Sequence, residues 1–208
     1  PRIFEKAYAS IRGTIEQAPP TKPRIFRWAE AIGRQAVQLW QAGQAILEVY
    51  AEEFEVDYKE DDSPLTRADL ASHRVIRDAL AKLTPDIPLL SEESADVDFG
   101  VRSGWRDYWL VDPLDGTKEF VNRNDEFTVN IALIRGDEPV LGVVHVPVSG
   151  VTYSGLRGDG EESGGAWVER PGEPRRQIRS RRADLERLTV VASKDHAGPR
   201  VKAFLARL

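Results

Sequence analysis

Cysteine is absent from all 208 residues. A chain without thiols has no disulfide, no thiolate metal ligand, no iron–sulfur cluster and no cysteine nucleophile. Methionine is absent as well, and the first residue is Pro1. No apolar run approaches the ~18 residues that a membrane-spanning helix needs, so no integral membrane segment is expected. Pro1 to Phe4 carries no apolar core of a secretory signal. An excess of positive charge is also missing. There are 29 Lys and Arg against 34 Asp and Glu, for a net charge of −5. That balance weighs against a surface built to coat a nucleic-acid polymer. The rest is ordinary, with 41% hydrophobic and 30% charged residues. Such a chain can bury a core, and its length suits one large domain or two small ones.

Pro19, Pro20 and Pro23 make residues 1–23 a leader and loop. From Arg24 to about Phe54 apolar residues recur at the helical period, among them Ile25, Trp28, Ile32, Leu39, Ile46 and Tyr50, which predicts one long helix. Val56 to Lys59 reads as a short strand that Ser63-Pro64 breaks. Thr66 with Asp69 three residues on resembles a capping box, opening a helix to Leu83. Its inner stripe is expected to be Leu70, His73, Ile76, Leu80 and Leu83. Leu89-Leu90 then lead into Ser91-Glu92-Glu93-Ser94. The second half is richer in strands. Tyr108 to Val111 reads as a buried strand, and Phe127–Ile134 with Val140–Val148 as a hairpin turning at Gly136-Asp137. Val151–Ser154, Ala166–Val168 and Gln177–Ile178 are shorter strands. Leu188 to Ala192 is expected to be a buried strand, and Pro199 to Leu208 the opening of a helix with Val201, Phe204, Leu205 and Leu208 on one face. It stops without a capping signal, so the chain is expected to be cut there. Helices first and antiparallel strands after predict an α+β, layered fold. Residues 24–182 are expected to form its main region, and 183–208 the start of a second.

The segment richest in chemistry is Trp109-Leu110-Val111-Asp112-Pro113-Leu114-Asp115-Gly116-Thr117-Lys118-Glu119-Phe120. A buried strand runs into Asp-Pro and then Asp-Gly, and both pairs favour turns. A plain turn does not explain two carboxylates at the end of a buried strand, where charge needs partners. Spacing of three residues can bring Asp112, Asp115 and the intervening Leu114 carbonyl to one point. Hard divalent cations take such oxygens. Glu92 follows another apolar run, and Asp69 opens a helix. Singly these are a solvated loop and a helix cap; together they offer four acidic groups with no soft ligand in competition. Oxygen-only sites favour Mg²⁺ or Mn²⁺, and Mg²⁺ is commonly shared with substrate phosphate. Metal-assisted hydrolysis of a phosphate ester is the chemistry that fits.

With Glu92-Glu93-Ser94 upstream, Asp112-Pro113-Leu114-Asp115-Gly116-Thr117 resembles the signature of the inositol monophosphatase superfamily of Mg²⁺-dependent, lithium-sensitive phosphatases. Asp61-Asp62-Ser63-Pro64-Leu65-Thr66-Arg67-Ala68-Asp69 and Lys118-Glu119-Phe120 resemble its bacterial 3'(2'),5'-bisphosphate nucleotidases. Inositol monophosphatases typically carry Thr-Asn-Phe after the Asp-Gly-Thr, and fructose bisphosphatases Ser-Ser. The resemblance runs from about Ala29 to Leu208. It implies the layered αβαβα sugar-phosphatase fold and two or three Mg²⁺ ions held by Glu92, Asp112, Asp115 and the Leu114 carbonyl. It also implies that Asp69 and Thr117 polarise the attacking water, with Glu92 beside them. Leu114, Asp115, Gly116, Thr117 and Ser193 would meet the substrate, adenosine 3',5'-bisphosphate, which is hydrolysed to AMP and phosphate. A small-molecule substrate, a cytoplasmic location, with peripheral contact to the inner membrane left open, and a monomer or homodimer follow from the same resemblance. Relatives in that family continue for several dozen residues past the place of Leu208 and carry there a Trp-Asp-x-Ala motif with a further metal ligand. Here neither Trp105, Trp109 nor Trp167 is followed by Asp. The alternatives are an inositol or sugar phosphatase, and a homologue that binds nucleotide and metal without turnover.

Other residues carry weaker signals. Lys59, just before the Asp61 loop, is either a surface lysine or the lysine that the resembling family often has at that place. His196 is expected to be a loop residue. His73 and His145 lie on apolar faces and are expected to be packed rather than ligating. Arg175, Arg176, Arg179, Arg181 and Arg182 are expected to form a charged, solvated strand edge. The Trp and Phe residues are expected to be core rather than base-stacking platforms.

Overall fold

The structure is a computed structural model that describes residues 41–52, 56–58, 64–94, 97–158, 164–182, 184, 190 and 198–207. Residues 41–50 are helix α1, which lies within the stretch expected to be one helix over 24–54 and ends at Tyr50; residues 24–40 lie outside the described residues. It buries Ala42, Ile46 and Val49. The Arg123 guanidinium donates to the carbonyls of Tyr50 and Glu52 at its C-terminal end. Cationic donors are favoured there because the last carbonyls of a helix lack partners.

Strand β1 (Val56–Tyr58) forms as expected and pairs antiparallel with β2 (Pro64–Thr66). The second strand was expected only as a break. Pro64 stands first in it, where a missing N–H is tolerated. Helix α2 (Arg67–Leu83) follows, opened by the expected capping box between Thr66 and Asp69. Its inner face holds His73, Ile76 and Leu80 as expected but turns away from Leu70. Asp69, Ser72, His73, Ile76, Ala79 and Leu80 are buried, whereas Leu70 is 36% exposed. Polar bonds from Asp69 and Ser72 set that rotation, because both side chains are wholly enclosed and must have partners.

The remaining described strands form one mixed sheet in chain order, β3-β4-β5-β6-β7-β8-β9. They are β3 (Leu89–Ser91), β4 (Asp107–Asp115), β5 (Thr128–Arg135), β6 (Glu138–Val146), β7 (Val151–Leu156), β8 (Gly165–Glu169) and β9 (Arg176–Ile178). Only β3 with β4 is parallel among these pairs; the rest are antiparallel. The β5–β6 hairpin turns at Gly136 as expected. Two short helices were not expected, α3 (Phe99–Arg102) and α4 (Thr117–Val121). Helices α1 and α2 pack on one sheet face, joining Trp109 and Val111 of β4, Val129, Ile131 and Leu133 of β5, and Leu141 and Val143 of β6 in a single core with Phe120 and Phe127. This is a layered α/β arrangement, as the order of elements predicts.

His145 is packed, as expected: 2% exposed and hydrogen-bonded through Nδ1 to Thr152 Oγ1 at 2.9 Å. A Cβ on Gly43 would stand 2.7 Å from its Nε2, so only glycine lets α1 approach the sheet there. On the opposite face of the sheet Leu110, Val144 and Tyr153 are exposed.

The chain divides into two compact units, Pro1–Ile178 and Arg179–Leu208. In the second, helix α5 (Pro199–Leu205) forms where expected, with Pro in its first turn; Phe204 is 60% exposed. The expected buried strand over Leu188–Ala192 lies outside the described residues except for Val190, which is exposed and in no strand. Among the described residues no helix is long and apolar enough to cross a membrane.

Candidate active site

The Asp-Pro pair is not a turn. Strand β4 does not end at Val111 but runs on through Asp115. Its pairing with β5 is regular to Asp112↔Asn130 and resumes at Asp115↔Thr128, so three steps on β4 face two on β5. That is a β-bulge, which accommodates Pro113 without a ladder bond and re-aims the side chains beside it. Leu114 N donates to Asp112 Oδ1 at 3.2 Å. The chain reverses only at Gly116, whose φ is +95°. A Cβ there would stand 2.9 Å from the Glu126 carbonyl oxygen. Both the left-handed backbone and the close approach require glycine.

Gly116 delivers Thr117, the first residue of α4, to Asp69. Thr117 Oγ1 lies 3.2 Å from Asp69 Oδ1 and 3.1 Å from the Leu114 carbonyl oxygen, and donates to one or the other. The second oxygen of Asp69, Oδ2, accepts from Thr66 N at 2.7 Å and Thr66 Oγ1 at 2.6 Å. One carboxylate thus caps the helix with one oxygen and faces the site with the other. Asp69 is 1% exposed. Burial raises its pKa, and the Thr66 bonds partly oppose the rise.

Glu92 stands directly after β3, tied to β4 by its N–H to the Val111 carbonyl at 3.0 Å. Burial, the charges of Glu92 and Asp115, and a hydrogen bond with Glu92 push the Asp112 pKa up to about 7. Like carboxylates held this close disfavour full ionisation, and a cation relieves them. Asp115 Oδ2 accepts from Asn130 Nδ2 at 2.8 Å, and Asn130 Oδ1 accepts from Thr128 Oγ1 at 3.1 Å. Among the described residues no three His, Asp or Glu side chains stand close enough together to hold an ion as they are. The Glu92 side chain is exposed and has room to turn. The set fits a hard divalent cation by chemistry: crowded anionic oxygens, an adjacent carbonyl, and no sulfur or imidazole among them. A cavity of about 620 Å³ borders Glu92, Asp112 and Asn130.

Asp69, Thr117 and Leu114 therefore meet at one place, and Glu92, Asp112 and Asp115 act on one another beside it. Gly116 is the hinge between the groups. Ser193, Lys59 and His196 lie outside the described residues. Arg175 packs over the Trp167 ring at 4.4 Å and pairs with Glu169 at 3.4 Å, and Arg176 opens β9 at the sheet's end, as a charged edge. Asn130 was missed. Its signal was a lone amide inside the apolar run Val129 to Ile134.

The chain matches the inositol monophosphatase family over residues 29–207 and belongs to it. Within that family, it is 51% identical to the 3'(2'),5'-bisphosphate nucleotidase CysQ of Escherichia coli O157:H7 over 169 residues, 80% of this chain and 65% of that relative. To the CysQ of Haemophilus influenzae it is 43% identical over 114 residues, 55% of this chain and 42% of the relative. The chain thus spans less than two thirds of the length of these curated relatives. The solved structure of CysQ from Bacteroides thetaiotaomicron is 35% identical with a TM-score of 0.59, over 84% of this chain and 68% of that one. An IMPase/NADP phosphatase solved with Mg²⁺ and phosphate shares the fold at 21% identity and a TM-score of 0.57, over 67% of this chain and 51% of its own.

Proposed function

We propose that this protein is a Mg²⁺-dependent phosphatase that removes the 3'-phosphate of adenosine 3',5'-bisphosphate, giving AMP and phosphate. The observation that carries the reading is the bonded group Asp69–Thr117–Leu114 beside the carboxylates of Glu92, Asp112 and Asp115. Identity of 51% to a nucleotidase supports the substrate. Glu92, Asp112, Asp115 and the Leu114 carbonyl oxygen would hold two or three ions, and Mn²⁺ suits the same donors. When bound, the metal lowers the pKa of water and offsets charge on the phosphoryl group.

The chain's own residues do the rest. With the Leu114 carbonyl engaged, the Thr117 hydroxyl proton turns to Asp69 Oδ1. Thr117 Oγ1 then has a lone pair free to accept from the attacking water. Asp69 is desolvated and its pKa raised, which brings it towards the range of a useful base. Gly116 and Thr117 amides are assigned to the scissile phosphate, as successive N–H groups at a turn can bind anions. Asp115 and Ser193 are assigned to the rest of the substrate. The protein acts on a small molecule rather than a polymer, in the cytoplasm, as a monomer or homodimer.

Phosphate release from adenosine 3',5'-bisphosphate and from inositol 1-phosphate tests this. The expected result is Mg²⁺-dependent, lithium-inhibited release with the higher kcat/KM on the nucleotide. Higher efficiency on inositol 1-phosphate would move the protein to the sugar phosphatases. Nucleotide binding in calorimetry with no release from either would overturn catalysis.

A further inference from the structure

Three buried polar side chains of α2 lie on one helical face, at positions 69, 72 and 73. Each bonds a different piece of the site. Asp69 Oδ1 accepts from Thr117 Oγ1. Ser72 Oγ donates to the Pro113 carbonyl at 2.7 Å, between Asp112 and Leu114 on the bulge. His73 Nδ1 and Ser91 Oγ are hydrogen-bonded at 2.9 Å, one residue before Glu92. Ser72 and His73 are both buried and take no part in the chemistry proposed above.

Their partners are the least secured parts of the site. Strand β3 has three residues and, among the described residues, lies at the end of the sheet and pairs with β4 alone. Short parallel pairs hold register weakly. The bulge on β4 interrupts the ladder with β5 between Asp112 and Asp115. Backbone pairing therefore fixes Glu92 through its N–H to the Val111 carbonyl but leaves the Asp112–Asp115 segment, where the ladder is interrupted, less secured. A helix is rigid over one turn, and positions three and four apart share a face. We propose that Ser72 and His73 are positioning residues. From one turn of α2 they set the distance between Glu92, just after β3, and the Asp112–Asp115 bulge on β4, and so tune the site for a divalent ion. The inference rests on the metal reading of the preceding section.

The test is direct binding of Mn²⁺ to the full chain without substrate, followed by loss of the free-ion spin-resonance signal. Outer partners of ligating groups commonly change metal affinity by about 10–100-fold when removed. Ser72→Ala and His73→Leu are each expected to weaken Mn²⁺ binding within that range. Ser72→Thr keeps the hydroxyl, and His73→Asn places an amide where Nδ1 stands, so both are expected to recover most of the affinity. Thermal unfolding without metal is measured on every variant. Variants that unfold earlier yet bind Mn²⁺ like the wild type overturn the inference and leave the metal reading standing. Loss in the conservative variants equal to that in Ser72→Ala and His73→Leu also overturns it. A wild-type chain that binds no Mn²⁺ overturns the metal reading and this inference together.

Discussion

Asp112→Asn should change stability and activity in opposite directions. The Asp112 pKa is raised from its ordinary 3.8 to about 7, by burial first and then by Glu92 and Asp115. A raised carboxylate contributes stability that is present below the unfolded value and is lost as pH rises through the folded one. Between pH 4 and pH 8 the metal-free wild type therefore loses stability that a neutral Asn does not lose. At ~1.36 kcal/mol per pKa unit the full rise corresponds to about 4 kcal/mol. Partial solvation and charge shared with Glu92 reduce this to about 1–2 kcal/mol. Urea unfolding followed by tryptophan fluorescence measures it, with buried Trp109 as a reporter. Without metal, Asp112→Asn is expected to gain about 1–2 kcal/mol on wild type from pH 4 to pH 8. Saturating Mg²⁺ should reverse the order, since a ligand at a hundred times its Kd stabilises by about 2.7 kcal/mol. Turnover with Mg²⁺ should fall by orders of magnitude. A metal-free stability difference that does not shift in the variant's favour from pH 4 to pH 8, or near-wild-type turnover, would refute the electrostatic account.

His145 has the opposite sign. Burial lowers its pKa from 6.5 to about 4, so on acidification the unfolded chain takes up this proton first. Stability is expected to fall by about 3 kcal/mol between pH 6.5 and pH 4, relative to His145→Gln. An unfolding difference between the two that is flat across that window sinks the assignment. Gly116→Ala forces a Cβ against Glu126 at a left-handed backbone. It should cost about 1–3 kcal/mol and draw Thr117 away from Asp69, lowering kcat more than it raises KM. Unchanged kcat would mean that the turn does not place Thr117.

Much of the site was legible because its residues lie close in the chain. Asp112, Leu114, Asp115, Gly116 and Thr117 fall within six consecutive positions. The capping box of Thr66 and Asp69 is a local device with a fixed spacing. Where local chemistry was ambiguous the reading went astray. Asp-Pro favours a turn, but β5 lies alongside and captures the segment as a bulged strand. Leu70 suits the inner stripe of a helix, but enclosed bonds from Asp69 and Ser72 rotate the face away from it. Asn130 announces nothing by itself, since an amide in a strand acquires a role only from the carboxylate opposite.

The amino-acid sequence by itself determined the kind of site this is. No cysteine and a run of oxygen donors at strand ends weigh against soft metals and carry the proposal of a hard one. It also determined the helix at 41–50, the capped helix α2 and the β5–β6 hairpin, because each rests on neighbours in the chain. Only the tertiary structure decided that Asp69 shares one carboxylate between a helix cap and Thr117. It alone brought Asn130 to Asp115 and pinned two strands to one turn of α2 through Ser72 and His73. Those bonds join residues 15 to 48 positions apart. No spacing rule encodes them, because they exist only once the helix has packed on the sheet and the buried polar groups must find partners.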